Sequence, residues 1–194
     1  MFLLITGGLW GQEEPEKRGM SLCLGLGWAP LISYPSGPDA TVKQLRALAG
    51  VTETDITLNL DLAFYLGKTQ FEGRERATYY SLSVGIDGYA TRLEDWSGSL
   101  QINNYVYGIG VQTQTGNWIS RVLVGPAVAV AQLTAGEIEV TAKSDWGYGV
   151  STQIGWDFNP TGGFGVLLGA NSSFSFIQSK HYGQAGLFAA LTYL

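Results

Sequence analysis

Six segments of the chain alternate a large apolar residue with a small or polar one, and the apolar set is too bulky and too continuous to fit inside a small barrel. The clearest segment carries Ile56, Leu58, Leu60, Leu62, Phe64 and Leu66 on one face, with Thr57, Asn59, Asp61, Ala63, Tyr65 and Gly67 on the other. A period of two places successive side chains on opposite faces of a strand, so the segment is β with one greasy and one polar side. The pattern recurs in Leu22–Trp28, Tyr80–Ile86, Val122–Val130, Trp146–Phe158 and Phe164–Phe176. In a soluble barrel the bulky set would face inward and the Gly, Ser and Asn set would meet water. That surface would carry almost no Lys or Glu, whereas soluble surfaces are about a quarter to a third charged. Turned inside out the pattern is consistent, because lipid accepts a band of Leu, Val, Phe and Trp while a narrow lumen accepts small residues and an occasional charge.

Composition agrees with that orientation. Charged residues make up 14% of the 194, and nearly all Lys and Arg fall between strands, with Arg121 the exception. A net charge of −5 without a basic stripe argues against nucleic acid as a partner. No apolar run is long enough for a membrane-spanning helix, so a chain with this surface crosses lipid only as a closed barrel. The fold class expected is all-β, an eight-stranded antiparallel up-and-down transmembrane β-barrel. Its strands are expected at 20–31, 55–67, 77–91, 99–113, 118–132, 145–158, 163–177 and 184–194. Residues 1–11 read as a secretory signal peptide with the true start upstream, and a buried first strand is the alternative. Residues 12–19 read as a periplasmic leader and 20–194 as the barrel domain.

In the fourth strand Leu100 and Ile102 share one parity, and Tyr105, Tyr107, Ile109 and Val111 share the other. A β-bulge at Asn103-Asn104 would restore register. Residues 32–54, 92–98 and 133–144 read as the looser, outer connections, with both termini in the periplasm. Aromatic residues fall at the strand ends. Phe64, Tyr80, Trp118, Trp156, Phe158, Phe164 and Tyr193 form an expected periplasmic girdle, and Trp28, Trp146, Phe174 and Phe176 an outer one. Cys23, the single cysteine, lies on the small-residue face and has no internal disulfide partner.

Several of these segments resemble a known family. Ser144-Asp145-Trp146-Gly147-Tyr148-Gly149 through Gln153-Ile154-Gly155-Trp156-Asp157-Phe158 is similar to the sixth strand of small outer-membrane barrels of the OmpW and OmpA kind. Val122-Leu123-Val124-Gly125-Pro126 resembles their fifth strand. The C-terminal Leu187–Leu194 resembles the strand signal read by the barrel-assembly machinery, with the aromatic Tyr193 penultimate. The resemblance covers residues 20–194 and implies the outer membrane of a Gram-negative-type, diderm bacterium. The OmpW likeness implies a narrow route for small hydrophobic solutes.

Chemistry is sparse. The only histidine, His181, has no serine or acid at a catalytic spacing in the sequence, and metal spacings, phosphate loops and nucleophile elbows are absent. No enzyme activity, cofactor or metal is expected. Asp61, Asp87 and Arg121 are expected to face the lumen, with Asn59, Gln153, Asn171 and Ser173 around them, as a plug or as a selectivity constriction. In the first outer loop Asp39 can cap a short helix over 40–49 that Gly50 ends, with Val42, Leu45 and Leu48 along one stripe. That stripe is expected to cover the barrel mouth. The function expected is a monomeric structural or surface barrel with a plugged polar lumen, its partners outer-membrane lipid and the assembly machinery. The alternatives are a narrow pore for small apolar solutes, a barrel meeting a cell-surface partner, and a soluble lipocalin-like carrier.

Overall fold

A sheet that crosses lipid has to close on itself, because lipid offers an unpaired backbone group no partner. The computed structural model describes residues 19–33, 44, 50–70, 76–95, 97–160 and 163–193. Over those residues nine strands form one closed sheet. They are β1 Met20–Ser33, β2 Thr52–Thr69, β3 Thr78–Glu94, β4 Gly98–Thr115, β5 Trp118–Ala135, β6 Ile138–Lys143, β7 Gly147–Asp157, β8 Phe164–Ile177 and β9 Lys180–Tyr193. β6 and β7 both follow and pair with β5, so they are two pieces of a single barrel strand interrupted at 144–146. Each remaining strand pairs antiparallel with its chain neighbour, and β1 on β9 closes the ring, with Leu22 opposite Tyr193 and Leu24 opposite Leu191. The barrel therefore has eight strands. The expected signal peptide over 1–11, all of the expected leader over 12–19 except Gly19, and the expected helix of Val42, Leu45 and Leu48 lie outside the described residues.

Alternation decides which side faces out. On β2 the even-numbered leucines face outward, Leu60 being 39% exposed, while Asn59 and Asp61 are buried inside. The same division holds along β1, β5, β7, β8 and β9, so a continuous apolar belt surrounds a filled interior. Small lumen residues make room for that filling. A Cβ on Gly108 would lie 2.6 Å from the Cβ of Leu123, and one on Gly149 would lie 2.6 Å from a methyl of Val106. Leu123 and Val106 are both fully buried.

Three sequence expectations are corrected. β4 pairs with β3 in one unbroken register from Thr78↔Thr115 to Glu94↔Ser99, so no bulge lies at Asn103-Asn104. Leu100 and Ile102 keep the interior parity of Asn104 and Val106, because the outer end of the lumen is packed with apolar side chains. Residues 133–144 are not a loose loop. β5 and β6 continue to a two-residue turn at Gly136-Glu137 and form a hairpin. His181, which falls between the expected strands 163–177 and 184–194, lies within β9, because β8 and β9 are joined by only Gln178-Ser179. The observed register shifts lie elsewhere, between Trp28 and Leu31 on β1 and between Tyr65 and Gly67 on β2. The first surrounds Pro30, which has no N–H to give to the ladder.

The tight turns differ in chemistry. Gly116 and Gly136 take φ of 59°, the left-handed backbone glycine adopts readily in two-residue hairpins. Gln178 and Ser179 hold φ of 50° and 62° with Cβ atoms present, which costs about 1–2 kcal/mol per residue. Ser179→Gly is expected to stabilise the barrel by about 0.5–1 kcal/mol, the relief being partly offset by glycine's greater freedom when unfolded. The measurement is the urea midpoint of the refolded protein at unchanged slope, and an unaltered or lower midpoint contradicts it.

Candidate functional site in the barrel lumen

The interior is built in three layers. At the outer end Tyr89, Leu93, Ile102, Val106, Ile177 and Tyr182 pack into one apolar cluster with Ala127 and Ala129. Toward the end where β1 begins and β9 finishes, Cys23, Ile119, Leu167, Phe188 and Ala190 form a second. Between them lies a polar layer centred on Arg121, which β5 projects inward and which is 2% exposed.

Arg121 joins two carboxylates from neighbouring strands. Its Nη2 donates to Asp87 Oδ1 at 2.6 Å and to Oδ2 at 2.7 Å. Its Nη1 lies 3.2 Å from Asp61 Oδ1. Asp61 stands on β2 and Asp87 on β3, opposite Gly85 and Asn59 in the ladder, so the sheet itself sets the two acids side by side. Each carboxylate has further donors. The Ser83 hydroxyl donates to Asp61 and the Ser151 hydroxyl to Asp87. Asn59 Nδ2 donates to Asp87 Oδ1 at 2.7 Å, and Asn171 Nδ2 donates to Asn59 Oδ1 at 3.0 Å. The network thus ties β2, β3, β5, β7 and β8 together across the lumen. Gly85 keeps the space beside it open, since a Cβ there would lie 3.0 Å from Asp61 Oδ1 and 2.6 Å from the Leu60 carbonyl.

Of the lumen residues singled out in the sequence, Asp61, Asp87, Arg121, Asn59 and Asn171 share this network. Gln153 is buried, sits opposite both Arg121 and Asn171, and lines a void of about 10 Å³ with Cys23, Gln112 and Thr192. Its Nε2 has no acceptor among the described residues. Ser83 and Ser151 are the members that sequence reasoning did not single out. Both belong to the small-residue set, and nothing in their spacing separates them from serines that merely line the wall.

The eleven girdle residues lie on the outward parity, all exposed except Tyr80, which is half-buried. Trp118 and Trp156 face each other across β5 and β7 with ring centres 5.2 Å apart, and Phe164 and Tyr193 across β8 and β9 at 5.0 Å. At the other end Trp146 meets Tyr107 edge-on at 5.6 Å and carries Lys143 Nζ 5.1 Å above its ring. His181 stacks outside the barrel on Phe174 and Phe176, away from the interior serines. Among the described residues no group of three or more His, Cys, Asp or Glu is placed to hold a metal ion.

A closed eight-stranded barrel with an apolar belt outside and a filled polar layer inside is a transmembrane β-barrel of the outer-membrane type. Known structures share that architecture. Ail, the attachment invasion locus protein of Yersinia pestis, solved with the heparin analogue sucrose octasulfate, aligns at a TM-score of 0.52 and 13% identity, covering 91% of this chain and 100% of that one. Neisserial surface protein A aligns at 0.46 and 11%, covering 91% and 97%. The N-terminal barrel of Pseudomonas aeruginosa OprF aligns at 0.42 and 10%, covering 91% and 98%. At these identities the likeness to Ail establishes the fold alone. No protein-family profile matches the chain, and no curated protein matches it in sequence.

The belt can be tested against an outward-facing residue beyond it. Thr134, opposite Glu139 on the β5–β6 hairpin, has the outward parity of Val122 and Val124 and lies outside the girdle. Leu60→Arg, mid-belt, is expected to cost about 2–4 kcal/mol of barrel stability, and Thr134→Arg about 0–1. Urea unfolding in lipid vesicles compares the two, and equal costs would place the belt wrongly.

Proposed function

We propose that the protein is a monomeric barrel of the outer membrane of a diderm bacterium, closed through its lumen and acting structurally and at its outer surface. The observation that carries this reading is the closure around Arg121. Both of its Nη atoms meet carboxylates, and a serine hydroxyl donates to each carboxylate. Apolar clusters lie on either side. Eight strands enclose an interior that side chains just fill, so the residues present leave little cross-section for solute. Lipid contacts the belt, and β9, which ends on Tyr193, is the segment offered to the assembly machinery. The reading is of a non-enzymatic role, and His181 packs outside the barrel against Phe174, away from the lumen serines.

A second reading, capture of small apolar solutes, draws on one feature. A groove of about 160 Å³ opens at the outer mouth over Val51, Leu93, Leu100 and Leu133. A sulfated polyanion like the one bound to Ail is a poor fit. Glu53, Glu94, Glu137 and Glu139 stand at the outer end, where Arg92 is already paired to Glu94 at 2.8 Å.

One substitution distinguishes plug from gate. Arg121→Ala leaves two buried carboxylates without their cation and, for a plug, is expected to destabilise the barrel by about 3–5 kcal/mol. Single-channel recordings of the folded wild type are expected to show no conductance. A gate gives the opposite result, with conductance rising in the variant while the urea midpoint hardly moves.

A further inference from the structure

β6 is the one described strand that hydrogen-bonds on a single side. It pairs with β5 from Val130↔Lys143 to Ala135↔Ile138 and ends the sheet order, because β7 takes up the pairing with β5 only from Gly147. All six of its residues are exposed, Ile138 at 66% and Val140 at 52%. The two-residue turn makes Ala135 and Ile138 a hydrogen-bonded pair, so the peptide groups of Ile138, Val140 and Ala142 point to β5. Those of Glu139, Thr141 and Lys143 point to the free edge. A row of unpaired N–H and C=O groups is a template for another strand.

The two faces beside that edge differ. Ile138, Val140 and Ala142 share the inward parity of Leu133, which lines the apolar groove at the barrel mouth. Glu139 and Thr141 are on the outward side. The tips around them are acidic. Glu137 occupies the turn, and the β3–β4 turn next to it across β5 presents Asp95. The Asp95 carboxylate accepts from the Ser97 hydroxyl and amide, each at 2.7 Å, and from the Gly98 amide at 3.0 Å. These donors, the Ser97 hydroxyl foremost, hold it below the usual carboxylate range. Of the basic groups at this end, Arg92 is paired with Glu94 and Lys143 lies over Trp146, while Lys180 stands at the β8–β9 turn.

We propose that the free edge of β6 is a docking site for an extended, basic segment of another protein, which adds as a further strand. The backbone edge supplies the hydrogen bonds of strand addition, and the alternating faces select for side chains that alternate apolar and cationic. The inference deepens the surface role proposed above, and it stands or falls separately from closure of the lumen, which conductance reads.

The test uses the full refolded chain in zwitterionic lipid nanodiscs and a fluorescent, end-blocked peptide of alternating lysine and valine, with binding followed by anisotropy. Saturable binding is expected, at least about tenfold tighter than to the same peptide built with glutamate. Thr141→Pro removes an edge N–H without touching the β5 ladder and is expected to weaken binding about tenfold, as is Glu139→Lys. Unchanged mobility of both variants on unheated gels shows that the barrel is intact. Equal affinity of wild type and Thr141→Pro means plain charge attraction and overturns the proposal, as does absence of binding. A wild type that sediments as a dimer and becomes monomeric with Thr141→Pro also overturns it, because the edge then belongs to a second copy.

Discussion

Lipid cannot hydrogen-bond the backbone, and that one constraint organises the rest of this structure. It requires the ladder to close, which β1 achieves on β9 from Leu22↔Tyr193 outward. Closure at eight strands fixes an interior too narrow to hold water in bulk and wide enough to need filling. Alternation then gives each strand one lipid face and one lumen face. The side chains that fill the lumen have to do so beside backbone that is already satisfied, so their own polar groups must pair with one another.

That requirement explains the composition of the polar layer. A guanidinium buried alone would be costly, and so would either carboxylate. Arg121 brings two acids together, while Ser83, Ser151 and Asn59 donate to the same carboxylate oxygens that the guanidinium meets. A buried ion network of this kind is weak support for raw stability, since a well-packed apolar filling is often as stable. What it supplies here is register. A one-residue slip of β2 against β3 would turn Asp61 or Asp87 to lipid, so the charges penalise every alternative pairing of those strands far more than apolar residues would.

The belt was legible in the sequence because a period of two survives in nearly every strand and needs no tertiary knowledge. The inward-facing Asp61, Asp87 and Arg121 were legible for the same reason, as charges out of place on otherwise small faces. Other features were hidden by the same rule. Leu123, Leu167 and Phe188 lie at lumen parity, yet an apolar residue on the small-residue face looks like noise until Gly108 and Gly155 are seen to make room for the two leucines. Strand β4 misled because its outer end packs Leu100 and Ile102 inside above the membrane, where the outward face holds Gln101 and Asn103, hydrogen-bonded to each other at 2.8 Å. Parity of hydrophobicity reverses there while parity of the backbone does not. The hairpin over 133–144 was hidden by its Glu, Thr and Lys, which read as loop when solvent rather than lipid lies beside the strand. Pro30 did carry a readable signal, a proline inside a strand, for the shift between Trp28 and Leu31.

Strand length links the membrane role to the surface role. A transmembrane β-strand needs about 9–11 residues, tilted roughly 45°. β4 and β5 have 18 each, and a two-residue turn between Thr115 and Trp118 leaves no slack at the end where β1 begins. Their surplus therefore projects outward, about 7–9 residues of strand rising on the order of 20 Å beyond the belt at that tilt. β8 and β9 have 14 residues each and rise less. The wall is therefore uneven, and a tall strand beside a shorter one has to leave an edge open above the point where the shorter one ends. β6 covers the exposed side of β5 and by doing so carries the open edge to itself. An unpaired strand at that height follows from unequal strand lengths in a closed barrel, independently of which side chains stand on it.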